Sequence, residues 1–467
     1  MNRRIFNVLL LFLLLSGVLL SVNCVGNCFV GYGKGSRVIF VGRGVGDDYA
    51  SIQAAVNAAE PGDVINVQAG VYVENVVVNK SVSLLGENRE MTIVDGNGTG
   101  CVVFVEASNV TVCNFTLRNS GVSYITPFSG IKLSSSDNCL ISNNVIVNNQ
   151  YGVWFSWSNN NTFIGNVVQH STDPEGNRYG VRLYQSENNN ISSNDMVDNK
   201  YGIYLYSGSN GNVVRYNNVS GNAFGIYLAL SEGNVVEGNT VVDNVIFGIT
   251  MRLAGGNFVF HNNFVNYWQV DVSDAFANVW DDGYPSGGNY WSDYGGVDEF
   301  CGVGQNVSGS DGLGDSAYGS DVNNTDTYPL MGVFRVFDVV WNGTSYSVGT
   351  VCNSTITGFS LVHFESGVEL GLNVSGVWGT GGFCRVSVPK VFFEGLEDGG
   401  CVVVVNGNSS VLVRNLGSYG EYDVLYFAYV NGPFISEFSS LFLVLSLLFL
   451  AISIFVEKSF GKAERRV

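Results

Sequence analysis

Histidine is nearly missing from this chain. There are three in 467 residues, beside five methionines and nine cysteines that form no Cys-x-x-Cys pair. So thin a supply of soft and imidazole ligands excludes a zinc ribbon or finger and leaves no clustered set for copper. Charge is scarce too, at 13% of residues, and cations are the scarcer sign: 22 Lys and Arg against 40 Asp and Glu, a net charge of −18. A body this acidic repels nucleic acid and other polyanions unless cations bridge them, so nucleic acid is excluded as a partner. Long apolar runs are absent everywhere except at the two ends. What is abundant is glycine, 59 residues, with much Asn, Val and Ser, a mixture that disfavours long helices and suits many short strands and turns.

From Ser129 to Asn266 one pattern recurs six times: aromatic (Ser129 in the first unit)–Gly–apolar–x–apolar, a polar stretch, then Asn, an apolar pair, Asn, and a second apolar pair. The opening glycines are Gly130, Gly152, Gly180, Gly202, Gly225 and Gly248, at steps of 22, 28, 22, 23 and 23. Asn144, Asn166, Asn194, Asn217, Asn239 and Asn262 keep the same beat. A fixed period in the twenties with two-residue alternation inside it means stacked coils of short strands, because one coil cannot bury its apolar side alone. The inward columns are expected at Ile131, Val153, Val181, Ile203, Ile226 and Ile249, and two residues on at Leu133, Phe155, Leu183, Leu205, Leu228 and Met251. Two more run through Ile141 to Val259 and Ile146 to Phe264. The asparagines are expected at the turns, themselves in left-handed backbone, with their amides stacked as a ladder.

Both ends address a membrane. Met1–Arg4 is a basic start and Ile5–Val22 an apolar run, so 1–26 is expected to be a signal peptide or N-terminal anchor. Phe438–Val456 is a second apolar run followed by Lys458, Lys462, Arg465 and Arg466. It is expected to be a transmembrane helix at 438–456 with a cytoplasmic tail at 457–467, leaving the body outside the cell. Thirteen Asn-x-Ser/Thr sequons suit a glycosylated exterior. Cys352 and Cys384 are candidates for a disulfide there, with Cys401 in the same domain, while Cys101, Cys113 and Cys139 suit buried apolar positions in the coils.

Between the ends, 36–266 is expected to be the solenoid, opened by a capping helix over 47–59 behind an Asp cap. Strands are expected at Val64–Val67, Val71–Val78 and Val82–Leu85. Periodicity fades over 267–332 into a Gly-, Asp- and Trp-rich cap. From 334 to 431 alternating short runs with Gly and Asn turns suit a β-sandwich. The fold class is all-β: a solenoid, then a sandwich, with hydrophobic helices at both termini.

The run from Ile52 to Ile65 and Ala69-Gly-Val-Tyr-Val-Glu74 resembles the opening segment of NosD-type right-handed parallel β-helix proteins. The six units resemble their repeat, which is shared with carbohydrate-binding and sugar-hydrolase domains. Gly288-Asn-Tyr-Trp-Ser-Asp-Tyr294, Asp311-Gly-Leu-Gly-Asp315 and Asp326-Thr-Tyr-Pro-Leu330 are similar to the tail of archaeal surface members of that group. The resemblance implies the fold over about 36–332 and, through the NosD name, an accessory role in copper-centre assembly as one possible function. It does not fix a function, because this solenoid hosts lyases, hydrolases, epimerases and non-enzymes.

Catalytic signatures mostly fail. No Gly-His-Gly turn surrounds His170, His261 or His363, and no acidic cluster sits on the repeats. The 28-residue step carries an inserted loop with His170, Asp173, Glu175 and Arg178. Its Asp173-Pro174 and Tyr179-Gly180 match an element of mannuronan epimerases, but Glu175 stands where that chemistry needs a histidine. These four residues are the candidate acid/base set for a uronan lyase or epimerase.

The outward positions of the first strand carry Trp154, Arg182, Tyr204 and Tyr227 in one column, and Tyr184, Tyr206 and Arg252 in the next. At about 4.8 Å per coil they are expected to form an exposed aromatic platform whose ring faces suit the C–H faces of sugars. Binding of a polysaccharide by a membrane-anchored, non-catalytic surface protein is therefore the leading functional expectation. Lastly, Asp311, Asp315, Asp321 and Asp326 crowd a loop with few cations, a candidate calcium site that would order the cap.

Overall fold

A computed structural model describes residues 36–123, 125, 127–169, 179–364, 367–393, 401–407 and 412–431. Both terminal apolar runs and the loop 170–178 lie outside the described residues. Among the described residues no helix is long and apolar enough to cross a membrane. The chain forms two compact units, Met1–Asn234 and Val235–Val467. The unit boundary falls inside the range expected for the solenoid alone, so the last coils group with the cap and the sandwich. A solenoid has no single core to hold it as one unit, since each repeat packs only on its neighbours.

The first unit is a stack of three-sided coils. One side runs from Val38–Val41 through Val64–Val67, Ser83–Gly86 and Thr111–Cys113 to Val213–Arg215. A second runs from Val76–Val78 through Val103–Val105 and Ser129–Ser134 to Phe224–Ala229, and a third from Gly70–Val73 to Asn218–Ser220. Every ladder is parallel and in register, for example Ile131↔Val153, Val153↔Val181 and Val181↔Ile203. All residues of the inward columns are fully buried, including Leu133, Phe155, Phe163, Met196 and Leu228. The single strand expected over Val71–Val78 is two, Gly70–Val73 and Val76–Val78, because the chain turns a corner at Glu74-Asn75. A three-sided coil needs that corner.

The corners follow one rule, and it differs from the expectation. The ladder asparagines are not in left-handed backbone; the residue before each one is. Asn143, Gly165, Ser193 and Tyr216 have φ of 52°, 67°, 54° and 56°. The left-handed residue bends the strand so that the next side chain points inward, where Asn144, Asn166 and Asn194 are buried. Each carboxamide oxygen then accepts the backbone N–H of the Asn one coil earlier, at 2.9 Å for Asn144 to Asn166 and for Asn166 to Asn194. A second ladder at another corner, Asn161, Asn189, Asn212 and Asn234, obeys the same rule.

The capping helix is shorter than expected, Ile52–Ala58, and its cap is Ser51, whose hydroxyl accepts Ala54 N–H. The Asp48 carboxylate is occupied elsewhere, accepting Phe40 N–H, and Asp47 accepts Gly44 N–H. Glu74 holds the helix start instead, accepting from Ile52 N–H, Gln53 N–H and the Ser51 hydroxyl. Ile52, Ala55 and Val56 are buried.

In the second unit, Phe247–Arg252, Phe258–Phe260 and Asn263–Val265 continue the coil pattern into the cap. Trp291 stacks on Phe264 at 4.6 Å, and with Trp280, Leu313 and Leu330 it is buried. Beyond it an antiparallel five-stranded sheet, Val333–Trp341, Thr344–Cys352, Gly381–Pro389, Tyr422–Val430 and Arg414–Tyr419, shares one apolar core with Thr355–Phe364, Gly367–Ser375 and Cys401–Val405. Val348, Leu370, Leu372, Val403 and Phe427 fill it, an arrangement like a β-sandwich. The buried Arg385 donates to the Pro285 carbonyl, joining this sheet to the cap.

Candidate functional site

The strands Ser129–Ser134, Tyr151–Ser156, Tyr179–Tyr184, Tyr201–Tyr206 and Phe224–Ala229 lie side by side in the first unit. Their pairing puts Lys132, Trp154, Arg182, Tyr204 and Tyr227 opposite one another across four ladders. Tyr184 and Tyr206 pair in the same way, following Ser156. Because Val153, Phe155, Val181, Leu183, Ile203 and Leu205 are fully buried, alternation turns the intervening side chains outward. Strand geometry thus assembles the strip that the repeat spacing suggests.

Its packing is different. None of Trp154, Arg182, Tyr184, Tyr204, Tyr206 and Tyr227 is fully exposed; all are half-buried. A further column, the aromatic residues Tyr151, Tyr179, Tyr201 and Phe224 that precede the glycines, fills the space beside them. Tyr179 stacks on Tyr201 at 4.9 Å, and Tyr201 on Phe224 at 5.1 Å, with ring planes within 13° and 9°. Tyr204 stacks on both Tyr179 and Tyr201, at 5.2 and 5.3 Å. Tyr227 meets Tyr201, Tyr204 and Phe224 edge to face. The faces of the central rings are therefore spent on each other. What the comb offers outward is edges and phenol hydroxyls, a hydrogen-bonding surface more than a flat apolar one. The signal for that column is the aromatic–Gly pair that opens five of the six units.

Two cations are threaded through the rings. Lys132 Nζ lies 4.1 Å from the centre of the Trp154 ring and 5.6 Å from that of Phe104. The Arg182 guanidinium lies 5.3 Å from Trp154 and from Tyr179, and within 5.8 Å of Tyr151, Tyr184 and Tyr206. Burial pushes the Tyr179 phenol up to about 12, with Arg182 pulling the other way. Burial likewise raises Tyr201 and Tyr204, beside neighbouring tyrosines. These hydroxyls are thus protonated donors at any physiological pH.

The remaining candidates divide. His170, Asp173, Glu175 and Arg178 lie outside the described residues. The four acidic residues of the cap loop point to separate partners. Asp311 accepts Leu313 N–H and the Gln305 amide; Asp315 accepts Glu299 and Phe300 N–H; Asp321 accepts Asn323 N–H. Asp326 is buried and accepts Asn289 N–H, Trp291 Nε1–H and Tyr328 N–H. Among the described residues no three His, Cys, Asp or Glu side chains converge on one point. Cys352 and Cys384 face each other on adjacent strands and are joined by a disulfide. Cys113, expected as a buried thiol, is also disulfide-bonded.

One further constellation is easily mistaken for a nucleophilic trio. The Ser286 hydroxyl donates to Asp282 Oδ2 at 2.8 Å and lies 3.2 Å from His261 Nε2. With its proton on Asp282, Ser286 accepts from His261 Nε2–H, the reverse of what deprotonating a serine requires. His261 is stacked on Phe334 and wholly buried, which pushes its pKa down to about 4. The trio is structural.

Residues 100–265 match the family described as "Right handed beta helix region". The fold is a right-handed parallel β-helix. Among solved structures, this β-helix is similar to an alginate lyase from Paenibacillus sp. str. FPU-7, with 14% identity, a TM-score of 0.36, and 55% of this chain and 98% of that chain covered. It is similar to the A-module of the mannuronan C-5 epimerase AlgE6 of Azotobacter vinelandii, with 14% identity, a TM-score of 0.28, and 49% and 92% covered. It is also similar to a family 28 exopolygalacturonase of Yersinia enterocolitica, with 12% identity, a TM-score of 0.35, and 50% and 60% covered. No curated protein matches the chain in sequence.

Proposed function

We propose that this β-helix protein binds polysaccharide through the aromatic strip of its first unit, and that it is held at a cell surface by its terminal apolar runs. The observation that carries the reading is the in-register comb of rings from Trp154 to Tyr227, packed face to face and edge to face on one outer side. Rings locked against one another have no rotamer freedom left to lose, so a ligand meets a pre-organised surface. Phenol edges and hydroxyls placed about 4.8 Å apart suit a polymer of repeated hydroxyl groups lying along the coil axis.

Joint replacement of Trp154, Tyr204 and Tyr206 by Ala tests it. Retention on a polysaccharide array should disappear while the circular dichroism spectrum stays that of a β-helix. Wild-type retention by the triple variant would move the site elsewhere. For the anchor, intact mass measured on membrane-extracted protein should include the chain through Val467; release into the soluble fraction would remove that part of the proposal.

A further inference from the structure

Lys132 and Arg182 stand out against the electrostatics of the whole chain. In a protein of net charge −18, cations find acidic partners easily: Arg37 pairs with Asp63, Arg118 with Asp95, and Arg252 with Asp271 and Asp274. Arg252, in the second unit, is neutralised there. Lys132 and Arg182 have no carboxylate within ion-pairing distance among the described residues, and their contacts are aromatic rings. Against the burial that raises the Tyr179 and Tyr204 phenols, Arg182 acts electrostatically to draw them down. Arg182 Nε–H and the adjacent Trp154 Nε1–H are both buried donors without an acceptor. Unmet buried donors cost free energy, and an uncompensated cation in a partly dry place costs more.

From this we infer that the strip takes an acidic polysaccharide, one whose sugar units carry carboxylates. This rests on the glycan-binding reading and narrows it. Lys132 and Arg182 are two strands apart on one face, about 10 Å along the coil axis, with Trp154 between them. A polymer lying along that axis meets a cation, a ring with an unmet N–H, and a second cation in sequence, then the hydroxyl-edged comb of Tyr204 and Tyr206. The guanidinium fork matches a carboxylate in two hydrogen bonds, and the ammonium supplies a point charge. The acidic body does not oppose this at physiological salt, because exposed charges farther than about 8 Å away are largely screened. A neutral glycan would leave both cations as they are and gain nothing from them.

The experiment uses the full chain in detergent and a panel of oligouronates, each compared with its own fully methyl-esterified counterpart, which differs only in charge. Wild type should bind the acid form at least about tenfold tighter than the ester. Lys132→Gln with Arg182→Gln should abolish the preference, so that acid and ester bind alike. Arg182→Lys, which keeps the charge and loses the fork, should fall between. Equal binding of acid and ester by wild type overturns the inference while glycan binding stands; binding of neither form overturns both. A double variant that keeps the preference for the acid also overturns it. Should that variant fail to fold, the wild-type comparison still decides.

Discussion

Asn194 shows what a single residue does in this protein. Its side-chain oxygen accepts Asn166 N–H at 2.9 Å, and its amide reaches the carbonyls of Phe163 and Ser192, each at 2.9 Å. It is also linked to Asn217. Replacing it by Ala orphans the buried Asn166 N–H and takes a donor from the carbonyls of Phe163 and Ser192 in a place water does not enter. Asn194→Ala should lower stability by about 3 kcal/mol, read as a shift in the urea midpoint at unchanged slope. A loss no larger than that of a surface substitution would mean the ladder is not under load. The sequence marked the ladder by its beat. It did not reveal that the left-handed residue is the one before, because the φ pattern depends on which side chain the closed coil turns inward. The same limit hid Tyr179 and Tyr201: each reads singly as a strand-favouring aromatic, and only stacking of successive coils makes them one column.

At the scale of the element, the opening glycines have a steric reason. A Cβ on Gly180 would sit 2.4 Å from the Gly202 carbonyl oxygen, and on Gly202, 2.6 Å from that of Gly225. Neither needs a left-handed backbone; each is required by the close approach of the next coil. Gly180→Ala should therefore cost about 2 kcal/mol and lower the melting temperature, whereas Gly208→Ala is strained by its φ of 78° but meets no neighbouring atom. Equal tolerance at Gly180 and at an exposed loop glycine would contradict that packing. The strands of the coils were legible from two-residue alternation. The corner at Glu74-Asn75 and the Ser51 cap were not, since a run of valines is equally apolar on both sides of a bend.

Over the molecule as a whole, the second unit carries a pH dependence built on burial. Burial pushes the Asp326 carboxyl up to about 7, against the opposing N–H groups of Asn289 and Trp291. The folded chain then keeps a proton that the unfolded chain has released above the ordinary value of 3.8. The stability contributed by this group is complete below that value and is lost as pH rises through about 7. His261 acts in the opposite sense: its pKa of about 4 makes the folded state resist protonation that the unfolded state accepts below 6.5. Comparison with Asp326→Asn cancels the histidine. The stability of wild type relative to that variant should fall from about pH 4 to about pH 7 and then level off, measured by urea denaturation at each pH. A flat difference would show that Asp326 does not titrate in the fold. A cation site in the cap loop would show itself differently, as a calcium-dependent rise in melting temperature that Asp311→Asn with Asp315→Asn abolishes.

By itself the sequence determined the period, the inward columns and the all-β class. Those depend on apolar alternation and turn chemistry, which are local properties of the chain. Tertiary structure decided what the outer strip presents. Residues 22 to 28 apart become neighbours only when coils stack, and stacking turned an expected platform of ring faces into a comb of edges. It also left Lys132 and Arg182 among rings, with no acidic partner among the described residues, while giving Arg252 two. Which charges are neutralised depends on distances between coils, and no spacing along the chain carries that information.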